Sequence, residues 1–306
     1  MVNAVAIVSL LDKFDQCCRE GGLLIAHVCD CHLLQGKPID ASDPKHQQDH
    51  DACPNPDLMP LRLAEVVSEL NALRPRPHFV LFGGDMTERG RPIEWDDFFR
   101  IAAGLNIPYF LTLGNHDHDE ESDWSRSREA LCRGLRSAGM CRTPPEAVTD
   151  GGLYHSARHG SWRLLVVDSL FDVPLDGVQR DWLARALSSD GTPTILSMHR
   201  PFVKVGNAMD RYRMRDPELL RLIIESGCVR VILSGHTHKR RACSHAKITH
   251  LVSPTIQDAI DDTPGYRLLC LHDGGVALTA NRELAEHAEV APDALQLDKI
   301  EPCDDI

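Results

Sequence analysis

Short, near-continuous apolar runs recur along this chain, and five of them break off into side chains that can bind a metal ion. Leu23 to Val28 is followed by Asp30 and His32. Phe79 to Phe82 leads through Gly83-Gly84 to Asp85, and Tyr109 to Leu113 leads through Gly114 to Asn115, His116 and Asp117. Thr194 to Met198 is followed by His199, and Val229 to Leu233 leads through Gly235 to His236 and His238. Apolar runs of this length read as strands covered on both faces. Leu164 to Val167, Thr249 to Val252 and Arg267 to Leu271 read as further strands.

Helical patterns lie between them. Leu63, Val66, Val67, Leu70 and Leu73 follow a 3.6-residue period until Pro75 and Pro77 stop it. Trp182, Leu183 and Leu187 suggest a second amphipathic helix, and Leu219 to Ile224 a third, ended by Gly227. Strands alternating with helices define the α/β class.

In open α/β sheets, ligands gather outside the carboxyl ends of the strands. The donors collected there are imidazole nitrogens with carboxylate and amide oxygens, a mixture that suits Mn, Fe or Zn and suits Ca poorly. Singly, these motifs are weak. Asp30-Cys31-His32 could be structural, Gly84-Asp85 is a common turn, and His199 alone could be a satisfied core histidine. Gly114-Asn115-His116-Asp117 and Gly235-His236-Thr237-His238 are more specific. Their joint occurrence at successive strand ends points to one metal site.

The formal net charge of −12 opposes strong nucleic-acid binding, although bound cations can reverse the field locally. Val2 to Leu11 is apolar over only ten residues, whereas a membrane span needs about twenty, and it lacks a basic leader pattern. The eleven cysteines form no C-x-x-C pair. They read as something other than a disulfide framework, which suits a reducing, cytoplasmic setting. Cys29 reads as a core residue and Cys31 as a poor candidate ligand.

The motifs closely resemble the calcineurin-like metallophosphoesterase superfamily, whose pattern runs D-x-H, G-D, G-N-H-D or G-N-H-E, an isolated His, then G-H-x-H. Here the pieces are Asp30-Cys31-His32, Gly84-Asp85, Gly114 to Asp117, His199 and Gly235 to His238. Within it, Val66 to Pro92 with its Ser68 to Arg74, Ile107-Pro108, Gly206 to Asp210 and Pro254-Thr255 resemble the bacterial class III cyclic-nucleotide and glycerophosphodiester phosphodiesterases. The resemblance implies a four-layer α-β-β-α sandwich of two mixed β-sheets flanked by helices. It assigns residues 23–285 to that domain, 1–22 to an extension or added strand, and 286–306 to a tail that wraps the surface or frays. Two segments interrupt the domain: a polar excursion at 36–60, containing His46 and His50, and a loop at 204–216.

The resemblance also implies two divalent metal ions. Asp30, His32, Asp85 and His238 would hold one, and Asp85, Asn115, His199 and His236 the other. Asn115 and His116 would meet the substrate, and Asp117 would orient the catalytic His116 or stabilise its turn. Arg200, standing where some relatives have a second histidine, would bind phosphate or pair with an acid. A hydroxide shared by the two ions would attack phosphorus in line with the leaving alkoxide. The expected substrate is a small phosphodiester, a 3′,5′-cyclic nucleotide or a glycerophosphodiester, and the expected assembly is a homo-oligomer. Phosphomonoester or pyrophosphate hydrolysis is the enzymatic alternative, and a protein-interaction scaffold the non-enzymatic one.

Overall fold

The computed structural model describes residues 2–34, 56–118, 148–149, 152–169, 175, 177–257, 262–284, 295–303 and 306. Among them, two main sheets form, one of six strands and one of seven. The first contains β1 (Leu23–Val28), β2 (Phe79–Phe82) and β3 (Tyr109–Leu111), paired in parallel. On the other side of β1 it continues antiparallel through β12 (Gly265–His272), β13 (Gly275–Glu283) and β14 (Leu295–Leu297). A separate hairpin joins β4 (Val148–Thr149) to β5 (Gly152–Leu153).

The second sheet has β7 (Trp162–Val166), β8 (Thr194–Ser197), β9 (Val229–Ser234) and β11 (Ile248–Val252) as parallel neighbours. It is completed by β6 (His155–His159) beyond β7, and by β10 (Arg241–His245) and β15 (Glu301–Pro302) beyond β11. Both sheets are therefore mixed.

The inner faces meet over Ile25, Phe79, Leu81, Leu164, Ile195, Val231 and Leu269, all at most 3% exposed. Each fully buried aliphatic or phenyl side chain of this kind contributes about 1.5–3 kcal/mol. The outer face of the first sheet is covered by α1 (Val2–Arg19), α2 (Met59–Ala72) and α3 (Pro92–Ala102), and that of the second by α4 (Gly177–Ser188) and α5 (Pro217–Ser226). The four-layer sandwich results. Local chemistry sets the helix ends. In α5, Asp216 accepts from Leu219 N at 2.9 Å, Pro217 opens the first turn, and Gly227 closes the last in the left-handed conformation.

The N-terminal extension takes the form of a helix, Val2–Arg19, whose Leu10, Phe14 and Cys17 share one face and are buried there. One expectation changes. The cysteines do include disulfides: Cys17 with Cys270, and Cys243 with Cys303. Sheet topology brings together partners 253 and 60 positions apart, so spacing could not reveal them. The cytoplasmic expectation thereby loses its support from cysteine usage. In the described part of the tail, β14 and β15 add an edge strand to each sheet. Of the 36–60 excursion, Pro56–Leu58 forms a 3-10 turn leading into α2, while His46 and His50 lie outside the described residues. Among the described residues no helix is long and apolar enough to cross a membrane.

Candidate metal centre

The carboxyl ends of β1, β2 and β3 meet those of β8 and β9 where the two sheets join. The loops after β1 and β2 extend their ladder past the strands: Asp30 N donates to Gly84 O and His32 N to Asp85 O, both at 2.9 Å. The sheets are then tied together, since His236 N donates to Asp30 Oδ1 at 3.1 Å and His199 Nδ1 lies 2.9 Å from Gly83 O.

The backbone here is unusual. Asp30, His32, Asp85, His236 and His238 all have positive φ, between 45° and 70°. Left-handed backbone at a non-glycine residue costs about 1–3 kcal/mol and persists where surrounding structure enforces it. It swings these five side chains toward one focus. Gly114 is required by proximity, because a Cβ there would overlap Asp85 Oδ1. Gly84 has φ 107°, and a Cβ on it would strike the His199 ring.

Three groups of donor atoms each lie within 4.8 Å: Asp30, His32 and His238; Asp85, His199 and His236; and His32, Glu88 and His116. In the first, His32 Nε2 is 3.1 Å from His238 Nε2, which is 3.5 Å from Asp30 Oδ1. In the second, His199 Nε2 is 3.0 Å from Asp85 Oδ2. That same oxygen is 3.8 Å from His32 Nε2, so Asp85 of the second group also reaches the first. Asn115 Oδ1 and His236 Nε2 are buried with no hydrogen-bond partner. Buried polar atoms left bare are costly, so these two orphans fit ligands awaiting a cation.

Six of the seven expected ligands fall in these groups, and Asn115 precedes His116, whose N donates to Asp85 Oδ1 at 2.9 Å. Arg200 is close by and nearly buried; its Nη1 donates to Tyr212 O at 3.2 Å and its N to Ser169 Oγ at 3.2 Å. Among the described residues Asp117 makes no hydrogen bond to the His116 ring. Its oxygens accept from Gly114 N, Thr87 N and Thr87 Oγ1 at 2.9–3.0 Å, so it fixes the turn instead. The residue that does meet His116 is Glu88, absent from the sequence reading. His116 Nδ1 lies 2.9 Å from Glu88 O and 3.4 Å from Glu88 Oε1, while Glu88 Oε2 is 2.7 Å from His32 Nδ1. One fully buried carboxylate therefore touches both imidazoles. An acid three residues beyond Asp85, in the loop that must face Asn115-His116, was the available signal. The 204–216 loop contains a 3-10 turn at Ala208–Tyr212, and Asn207 Nδ2 donates to Thr237 O at 2.9 Å, tying it to the His236–His238 loop.

The electrostatics are those of interleaved acids and imidazoles. Burial alone would raise the Asp85 carboxyl, but His199, His116 and His32 hold it well below its usual range. Burial likewise opposes ionisation of Glu88, yet His32 and hydrogen bonds from His116 and His32 bring it down to about 2. His199 would be lowered by burial but is raised to about 9 by Asp85. His236, pushed down by burial and by His199, sits well below an ordinary imidazole and stays a neutral donor. Asp117 is pushed up to about 7 by burial and by the Asp85 charge.

Residues 23–240 match the family model described as calcineurin-like phosphoesterase, and the chain belongs to that family. Among curated relatives, it is 30% identical over 230 residues to the 3′,5′-cyclic adenosine monophosphate phosphodiesterase CpdA of Pseudomonas aeruginosa, covering 70% of this chain and 77% of that one. It is 31% identical over 199 residues to the glycerophosphodiester phosphodiesterase GpdQ of Enterobacter lignolyticus, covering 62% of this chain and 66% of the relative. The fold matches a dimetal phosphatase from Danio rerio with a TM-score of 0.62 at 12% identity, over 90% of this chain and 98% of the other.

Proposed function

We propose that this chain is a dinuclear-metal phosphodiesterase acting on a small diester, a 3′,5′-cyclic nucleotide or a glycerophosphodiester. The observation that carries the metal reading is the pair of neighbouring donor groups, Asp30, His32 and His238 beside Asp85, His199 and His236, together with the bare Asn115 Oδ1 and His236 Nε2. Asp30, His32, Asp85 and His238 would hold one ion, and Asp85, Asn115, His199 and His236 the other, with Asp85 serving both. The imidazole and oxygen donors favour Mn, Fe or Zn. Two such cations supply an activated water nucleophile and neutralise charge on the phosphoryl oxygens.

The remaining work falls to side chains. His116 is the most open imidazole of the site, with a third of its side chain exposed, and Glu88 holds its Nδ1. Its Nε2 edge is left to hydrogen-bond a phosphoryl or leaving-group oxygen. His199 is fully buried and locked by Gly83 O, so it serves as a ligand rather than a proton carrier. The preference for diesters is supported by the two relatives, one a cyclic-AMP phosphodiesterase and the other a glycerophosphodiester phosphodiesterase.

The test is an activity panel on protein reconstituted with Mn, Zn, Fe or Co, comparing cyclic nucleotides, glycerophosphodiesters, aryl diesters and monoesters. Diesters should be turned over fastest. A strong monoester preference across all four metals would overturn the diester assignment. A fully loaded but inert protein would favour the scaffold reading.

A further inference from the structure

The tail segment 295–303 runs from one sheet to the other. β14 pairs with β13 at the edge of the first sheet, and β15 pairs with β10 at the edge of the second. These strands are only three and two residues long, so backbone pairing alone holds the strap weakly. Side chains tie it inward.

Asp298 forms an ion pair with Arg267, a side chain with no exposure to solvent. Removing the partner of a buried charge leaves that charge uncompensated. Arg267 also donates to Val252 O at 2.8 Å and to Ser253 Oγ at 3.3 Å, and Ser253 Oγ lies 2.7 Å from His27 Nδ1 on β1, three residues before Asp30. Gln296 accepts from Arg240 at 3.2 Å, two residues beyond His238. Cys303 is bonded to Cys243 in β10, the strand that leaves the His236–His238 loop. The strap therefore grips both the strand that delivers Asp30 and the chain that follows His238.

We propose that residues 295–303 form a positioning strap behind the metal centre, latched by the Cys243–Cys303 bond, and that reducing this bond loosens the 235–240 loop. The step is a thiol–disulfide exchange with a small dithiol. The dithiol gives up two electrons and two protons and becomes a disulfide; the Cys243–Cys303 S–S bond breaks and two thiols remain. Asp298, Arg267 and Gln296 are positioning residues, since none lies among the donor groups. The consequence for metal affinity rests on the dinuclear reading, whereas the loosening of the loop does not.

The experiment uses the full chain, ion-free, before and after dithiol treatment, with thiol alkylation and mass spectrometry recording which cysteines are reduced. Amide hydrogen exchange is read over 295–303 and 235–240, and Mn²⁺ alone is titrated by calorimetry. Reduction should speed exchange in both segments roughly tenfold and weaken Mn²⁺ binding roughly tenfold. Cys243→Ser/Cys303→Ser should reproduce this without reductant, whereas Cys17→Ser/Cys270→Ser should leave both segments as in the untreated protein. Should the first double variant fail to fold, Asp298→Asn and the reduced wild-type chain carry the test. Unchanged exchange over 235–240 once Cys243 and Cys303 are alkylated would overturn the proposal, as would finding both thiols free before treatment. Failure of Mn²⁺ to bind the oxidised wild type would sink the metal reading, while the exchange result would still decide the latch.

Discussion

The two donor groups of the metal centre differ in how far they are sealed from water. Asp85, His199 and His236 are at most 4% exposed, and His199 is pinned on both ring nitrogens, by Gly83 O and by Asp85. Asp30 and His32 are also buried, but their partner His238 has 27% of its side chain exposed. A cation in the enclosed group would meet only buried donors, whereas one held by His238 would sit beside a partly exposed imidazole. The lesson is that one motif family can build an inner position suited to retention and an outer one suited to exchange. The inner ion should leave slowly and the outer one readily.

The harshest way to break this contrast is to remove the group both positions use. Asp85→Asn should cut turnover by at least about a thousandfold and lower metal content at both positions, as read by steady-state kinetics and elemental analysis. Wild-type metal content in that variant would show that Asp85 is not shared. The contrast is sharpened by paired substitutions. His236→Ala should remove the slowly released ion, and His238→Ala only the readily released one, each weakening its own position by at least about a hundredfold. Chelator-release kinetics separate the two, and identical release traces for both variants would abolish the distinction. Glu88→Gln comes next, because an amide can keep the shape but not the charge facing His32 and His116. A loss of roughly 10–100-fold in outer-ion affinity or turnover is expected, with Glu88→Asp recovering part of it.

The smallest effect concerns protons. His199, raised to about 9 by Asp85 in the ion-free protein, must lose its proton to become a ligand. Inner-ion affinity should therefore climb by about tenfold per pH unit for that one displaced proton, flattening near pH 9. Calorimetry in buffers of different ionisation enthalpy would register the released proton. A flat affinity between pH 6 and 9 would show that His199 enters the site already neutral.

How much of this was legible in the sequence depends on which physics each element uses. Strands buried on both faces announce themselves, so β1, β2, β8 and β9 and the donors just beyond them could be read directly. Strands only partly buried do not. Arg241–His245 in β10 and Gly275–Glu283 in β13 mix polar with apolar residues and leave much of their length half-exposed, so they carry no continuous apolar run. Helix α3 left a usable trace, with Pro92 in its first turn, Glu94 accepting from Arg91 N at 3.2 Å, and Trp95, Phe98 and Ala102 on one face. The left-handed residues at Asp30, His32, Asp85, His236 and His238 left none, because propensity there argues against the observed backbone. Glu88 was hidden for a related reason: its importance lies in which loop it faces across the sheet, and that is a property of topology.

That topology has a mechanical consequence. Asp30, His32, Asp85 and Asn115 stand on one sheet, and His199, His236 and His238 on the other. Cations held by both rows of donors would act as rivets through the seam of the sandwich. Stripping them with a chelator should therefore lower the melting temperature as well as silence the enzyme, and the upper rim of the seam should be the first part of the molecule to part.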